Sequence, residues 1–278
     1  MSTNTLSLPL AVLDTVKRSR RLYQLGRTLR MAAGSIAGAR HVQGIPYRVH
    51  CNDFMFEGDA KKYSAGAQRV IELLGDGLHA AGTDWSRLRS VLEFGCGYGR
   101  ITRYLVEQLP AERVSVCDVI PQASRFCERE FAAHSTPSTT RFDLFRHPAV
   151  DLLFFISVQT HLSAQALDAL QGRLTDLLEI GGVCLFTTMG PGSARQASRY
   201  GSRWDRSQAT IGASLDREGF YFEPYGYYTD PDYGMTWETR EHVDSRMRRL
   251  HGERLRLVQY SELAIDGHQD VFVYQRIS

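Results

Sequence analysis

The chain has 278 residues, enough for one large α/β domain with its own core plus some decoration, or for two small domains. Its 43% hydrophobic and 23% charged residues are those of a globular chain, and no apolar run approaches the roughly 20 residues a membrane-spanning helix needs. The net charge of +2 conceals an asymmetry: up to residue 50 eight basic residues face only Asp14, so this stretch carries +7 and the remainder −5.

The first predicted element is a basic helical extension or lid over residues 1–60, in which Val12, Val16, Leu22, Leu25 and Leu29 fall on one stripe with arginines between them. A solvated basic helix with one packed stripe is the plainest reading. An active-site lid, a homodimerisation arm and a peripheral contact with anionic lipid are the alternatives. Aromatic residues are not interleaved with the basic ones, so no nucleic-acid partner is expected. The apolar stretch at the N-terminus precedes its basic cluster, the reverse of a secretory signal, which favours a cytoplasmic, unprocessed protein.

From residue 61 the texture alternates. A helical stretch near 63–82 precedes the apolar run 90–94, and a glycine cluster leads to a helix beginning near Arg100. The strand candidate RVSVCDVI, a helix around 122–133 and the strand candidate VDLLFFISV follow. A helix over about 163–178 then reaches a turn at Gly181-Gly182 and the strand candidate VCLFTTM. Such alternation predicts βαβ units and a parallel sheet. Ten aromatic residues between Tyr200 and Trp237 mark an insert of about 191–245, and two strand candidates around AIDGH predict an antiparallel edge hairpin. The expected fold is a doubly wound, mostly parallel seven-stranded α/β sheet over residues 61–278. Five scattered cysteines without a CxxC pair (Cys51, Cys96, Cys117, Cys127, Cys184) suggest neither a disulfide framework nor a zinc site.

The sharpest feature is VLEFGCGYGRITRYL, residues 91–105. Gly95, Gly97 and Gly99 follow a strand and open a helix, where backbone has to turn tightly and approach a ligand closely. Glu93 stands two residues before them. There it would repel a pyrophosphate but can accept a hydrogen bond from an ammonium group. The spacing GxGxG, with Arg100 where a nicotinamide-binding loop has a small residue, makes a dinucleotide site a weak reading. Asp118, roughly 20 residues on, sits where a neighbouring strand presents an acid to ribose hydroxyls.

At these residues the sequence resembles the class I S-adenosylmethionine-dependent methyltransferases, over about residues 60–190 and more loosely beyond. The resemblance implies that Glu93 and the loop Gly95, Cys96, Gly97 and Gly99 hold the methionine part of S-adenosyl-L-methionine. It further implies that Asp118 binds the ribose, that Ile120 packs on the adenine and that Val119 between them belongs to the cofactor site. DLLFFISVQTHL, residues 151–162, resembles the family's fourth-strand motif, with Gln159 in place of the usual Phe and Ser157 near the cofactor. LLEIGGVCLFTT resembles the post-motif turn and fifth strand. Phe142-Asp143 is the candidate adenine contact, with a surface acid as its alternative. Tyr63 and Gly66 resemble a helix element that covers the cofactor carboxylate, with ordinary packing as the alternative for Tyr63.

His161, just past the fourth strand, is the candidate general base, because an imidazole titrates near neutrality; holding a loop is its alternative role. Clustered acid and amide ligands near that strand are absent, so no metal is expected. The expected function is O-methylation of a glycan, glycolipid or natural-product acceptor. The alternatives are N-methylation of a small molecule, a non-catalytic cofactor-binding protein, and a nicotinamide-dependent reductase.

Overall fold

The computed structural model describes residues 19–200, 202–228 and 230–278, and side chains there except those of residues 20 and 202–206. Val12 and Val16 of the predicted stripe, and the Trp204 side chain, lie outside that description.

The first helix among the described residues, α1 (Arg20–Ala37), is capped by Ser19 and leads to a small antiparallel pair, β1 (Ala39–His41) and β2 (Arg48–His50). Helix α2 (Ala60–Ala80) starts at Asp59, whose carboxylate accepts the Lys62 amide proton, and buries Tyr63, Val70, Leu73, Leu74 and Leu78 on one face. The sheet begins with β3 (Val91–Phe94), followed by α3 (Thr102–Gln108), β4 (Val114–Cys117), α4 (Pro121–Phe131) and the short β5 (His134–Ser135). Then come β6 (Val150–Phe155), α5 (Ala164–Gln171), α6 (Leu174–Leu177) and β7 (Leu178–Thr188). Between β7 and the final strands lie α7 (Pro191–Ala194), α8 (Ser202–Glu218), the antiparallel pair β8 (Phe220–Pro224) and β9 (Gly234–Glu238), and α9 (Arg240–His251). The chain closes with β10 (Leu255–Ile265) and β11 (Gln269–Arg276).

The seven strands run β10-β11-β7-β6-β3-β4-β5. The five from β5 to β7 are parallel, and β11 is antiparallel to both neighbours. The expected seven-stranded sheet with its edge hairpin is therefore present. Asp266 and Gly267 turn that hairpin at φ 51° and 68°, the geometry for which an Asp-Gly pair is suited. The parallel strands are buried on both faces, with one apolar layer around Leu74, Leu105, Val116 and Phe126 and another around Phe155, Leu167, Phe186 and Met247.

Two boundaries differ from expectation. The helix predicted over 163–178 divides after Gln171, and the predicted turn at Gly181-Gly182 lies inside β7. There the strand carries an irregularity against Val150–Leu152, and Gly181 takes φ 85°, so the glycines bend a strand instead of ending one. In the parallel part of the sheet the strand order reverses about β3, which lies between β4 and β6. The crevice beyond the carboxyl ends of those strands is where such sheets take ligands.

Candidate functional site

The loop after β3 is built from the backbone outward. Gly95 and Cys96 both donate their amide protons to the Cys117 carbonyl at the end of β4, at 2.8 and 3.0 Å. Gly95, Gly97 and Gly99 all have positive φ, but their surroundings differ. A Cβ on Gly99 would collide with the Phe131 ring and one on Gly95 with Val158, whereas one on Gly97 would enter open space. Gly97 is thus the place in the loop where bare backbone is left open. Cys96 contributes only main chain: its thiol is buried, with the Cys127 sulfur 3.9 Å away.

Asp118 is fixed by two amides. The Gly97 N–H donates to Oδ2 and the Ile120 N–H to Oδ1, both at 2.8 Å. Burial raises its pKa, while the two amides pull it down. Each oxygen keeps lone-pair capacity for a further donor. Beside it Val119 is 53% exposed, and Ile120 lies against the core beneath. A cavity of about 370 Å³ opens here, lined by Asp118, Pro121, Ser124, Arg125, Glu128 and residues 135–138. An oriented carboxylate, uncovered backbone and an outward apolar side chain fit the nucleoside end of the cofactor that the resemblance implies.

Glu93 is 2% exposed, and the Thr102 hydroxyl donates to its Oε2 at 2.7 Å. Burial pushes its pKa up to about 8; Thr102 opposes the rise and the nearby Asp118 adds to it. Two acids, Glu93 beneath the glycine loop and Asp118 beside it, suit a ligand that carries positive charge, which would favour ionisation of both.

The other named residues scatter. Tyr63 donates its hydroxyl to the buried Asp53 and its carbonyl accepts from Arg100 Nε, so its polar groups are already engaged. The Arg100 guanidinium occupies the space a Cβ on Gly66 would need. Asp143 lies in an exposed turn paired with Arg141, which lowers its pKa, and its hydrogen bonds run within residues 141–146. Gln159 turns into the core, where its Oε1 accepts from Gln171. Ser157 holds φ 59°, unusual for a residue with a side chain, and is secured by the Thr187 hydroxyl and by Gln269.

His161 is gripped by the insert. Its Nδ1 lies 3.0 Å from the Gly234 carbonyl and 2.7 Å from the Tyr225 hydroxyl, which in turn donates to the Met235 sulfur. A carbonyl only accepts, so the network assigns the ring proton to Nδ1 and leaves the lone pair on Nε2. Burial lowers the His161 pKa, against the Gly234 hydrogen bond that raises it, and so favours the neutral imidazole. Ser163 donates to Asp232, and Thr236 donates to the Leu162 carbonyl, tying the insert to the segment after β6. From His161 a run of rings extends through Tyr225, Tyr233 and Tyr228 to Tyr23 on α1, whose hydroxyl lies 3.0 Å from that of Tyr228. Neither Tyr225 nor the Gly234 carbonyl was foreseen, because they are about 65 to 75 residues from His161 in sequence and carry no local pattern. Among the described residues no group of three or more His, Cys, Asp or Glu side chains is placed to hold a metal ion, and no helix is long and apolar enough to cross a membrane.

Residues 92–184 match the model of a family described as a methyltransferase domain. No curated protein matches the chain. Among solved structures, the PH0226 protein of Pyrococcus horikoshii OT3 aligns with a TM-score of 0.53 at 12% identity, over 80% of this chain and 93% of that one. An S-adenosylmethionine-dependent methyltransferase from Clostridium acetobutylicum ATCC 824 aligns at 0.51 and 13%, over 80% and 94%. The glycopeptide N-methyltransferase MtfA aligns at 0.50 and 11%, over 80% and 92%. At such identities the likeness to these three is one of fold.

Proposed function

We propose that the chain is an S-adenosylmethionine-dependent methyltransferase, a reading supported by the methyltransferase-domain match over residues 92–184, and that it O-methylates a hydroxyl acceptor with His161 as general base. The observation that supports this most is the imidazole held through Nδ1 by Gly234 and Tyr225, which leaves Nε2 for a proton. The cofactor, when bound, supplies a methyl on a sulfonium centre. Gly97 and Asp118 would align its nucleoside end, and Glu93 would face its ammonium group. His161 Nε2 would take the acceptor's hydroxyl proton as the oxygen bonds to the methyl and the carbon–sulfur bond breaks, releasing S-adenosylhomocysteine. The tyrosine rings beside His161 offer flat apolar faces and hydroxyls together, a combination suited to a glycan, a glycolipid or an aromatic natural product.

Labelled S-adenosylmethionine should transfer its methyl to a hydroxyl-bearing acceptor, detected by product mass. His161→Ala should lower kcat roughly 100-fold or more while cofactor affinity, measured calorimetrically, stays unchanged. With a neutral imidazole as base, wild-type kcat should hold down to a pH below the ordinary histidine value and fall once His161 is protonated. Near-wild-type turnover of His161→Ala would remove the base from this reading.

A further inference from the structure

Helix α1 is mounted with its apolar side outward. The residues that touch the body are Tyr23, Gln24, Arg27, Met31 and Gly34: Gln24 donates to the Tyr227 carbonyl, Arg27 lies over Tyr228, and Asn52 packs on Gly34 and donates to the Met31 carbonyl. At 3.6 residues per turn these positions share one face. Leu22, Leu25, Leu29 and Ile36 fall on the opposite face and are 54, 58, 61 and 89% exposed. A helix stabilised only by its contacts with the protein would reverse this arrangement, since burying four such side chains is the larger gain. The outward face is therefore an apolar surface left uncovered among the described residues.

Charge points to what that surface fits. Arg21 and Arg30 are exposed on the same helix, Arg40 is exposed just beyond it, and no acid occurs between Asp14 and Asp53. A second copy of this face would bring like charges together with no acid to offset them. A nucleic acid would match the arginines but leave the leucines without a role. An apolar stripe flanked by arginine matches the boundary between anionic headgroups and acyl chains. Phe54 and Met55, on the loop that supplies Asn52, are exposed as well, and Arg30 lies over the Phe54 ring at 4.5 Å.

We propose that α1 docks on an anionic lipid surface, its leucine stripe in the interface and its arginines at the headgroups. The inner face of the same helix contacts Tyr227 and Tyr228, so docking would bring the run of tyrosine rings that ends at His161 near the bilayer. Only that last step rests on the functional reading above; the docking does not.

The test is flotation of the full-length protein with phosphatidylglycerol–phosphatidylcholine vesicles and with phosphatidylcholine vesicles alone, needing no acceptor and no turnover. Binding to the mixed vesicles is expected, with at least roughly tenfold less on phosphatidylcholine alone or in high salt. The triple variant Leu22→Ser, Leu25→Ser, Leu29→Ser changes exposed positions only and should keep its Tm while losing binding by at least roughly tenfold. Absence of binding, equal binding to both vesicle types, or full binding by the triple variant overturns the proposal. A dimer in sedimentation that this variant dissolves would overturn it too, giving the face to a second copy.

Discussion

At the scale of single residues, the arrangement around Glu93 places function against stability. A glutamate sealed behind a glycine loop, aided by one hydroxyl and opposed by Asp118, is a poor place for a negative charge. Between the ordinary glutamate value, about 4.3, and about 8, the folded protein holds a proton the unfolded chain has released. Stability therefore falls as pH rises through that window and levels off above it. Glu93→Gln keeps the shape and removes the titration. The variant should melt a few degrees higher than wild type at pH 8, by roughly the shift that 1 kcal/mol gives in a domain of this size, with the difference shrinking toward pH 5. Its affinity for S-adenosylmethionine should fall, because the cationic ligand loses the carboxylate that compensates it. Scanning calorimetry at the two pH values checks the first half and titration calorimetry the second.

At the scale of elements, the glycine loop separates two meanings of one residue type. Gly99 is closed in by Phe131 and Cys127, while the Cβ position of Gly97 is open. Gly99→Ala should cost stability through both overlap and positive φ, roughly 2–4 kcal/mol in urea unfolding. Gly97→Ala carries only the backbone strain, on the order of 1 kcal/mol, and its methyl stands on the open side where the proposed cofactor site lies. Cofactor binding should therefore fall sharply in the Gly97 variant while most stability is kept. Equal losses of stability in the two would deny the loop its open side. The loop was legible in the sequence because glycine spacing and the acids beside it are local. The bend in β7 was not: Gly181-Gly182 reads as a turn until Val150 and Leu152, from a strand about 30 residues earlier, are seen pairing across it. The break after Gln171 was hidden for a similar reason, since Gln171 faces Gln159 and Arg246 across the core.

At the scale of the whole molecule, the insert is bound to the sheet by polar groups that sequence could not pair. Glu238 on β9 and Arg246 on α9 are both nearly fully buried, with Arg246 Nη2 donating to Glu238 Oε2 at 2.6 Å and Nη1 reaching Gln171 on α5. Eight residues separate the pair, a spacing that suggests contact neither along one strand nor along one helix, because the two belong to different elements. A much larger distance in sequence, about 65 to 75 residues, hid Tyr225 and Gly234 from His161. What the sequence left illegible here is the set of contacts made by the insert, while the sheet and the glycine loop were open to local reading. Burial alone would raise the Glu238 pKa, but the Arg246 charge together with hydrogen bonds from His242 and Arg246 outweighs it, and the net shift is downward. The pair therefore adds stability that is present above the ordinary glutamate range and is lost as pH falls through the lowered value. Arg246→Met should cost roughly 3–5 kcal/mol in urea unfolding, because it leaves a carboxylate buried without its cation. The double variant Arg246→Met, Glu238→Met removes both charges and should recover most of that loss. Since β9 also carries Gly234, the single variant should loosen the hold on His161 Nδ1, seen as a shifted pH dependence of kcat with little change in cofactor affinity. If the single variant matched wild type in both stability and pH profile, the buried pair would have no part in holding the insert against the site.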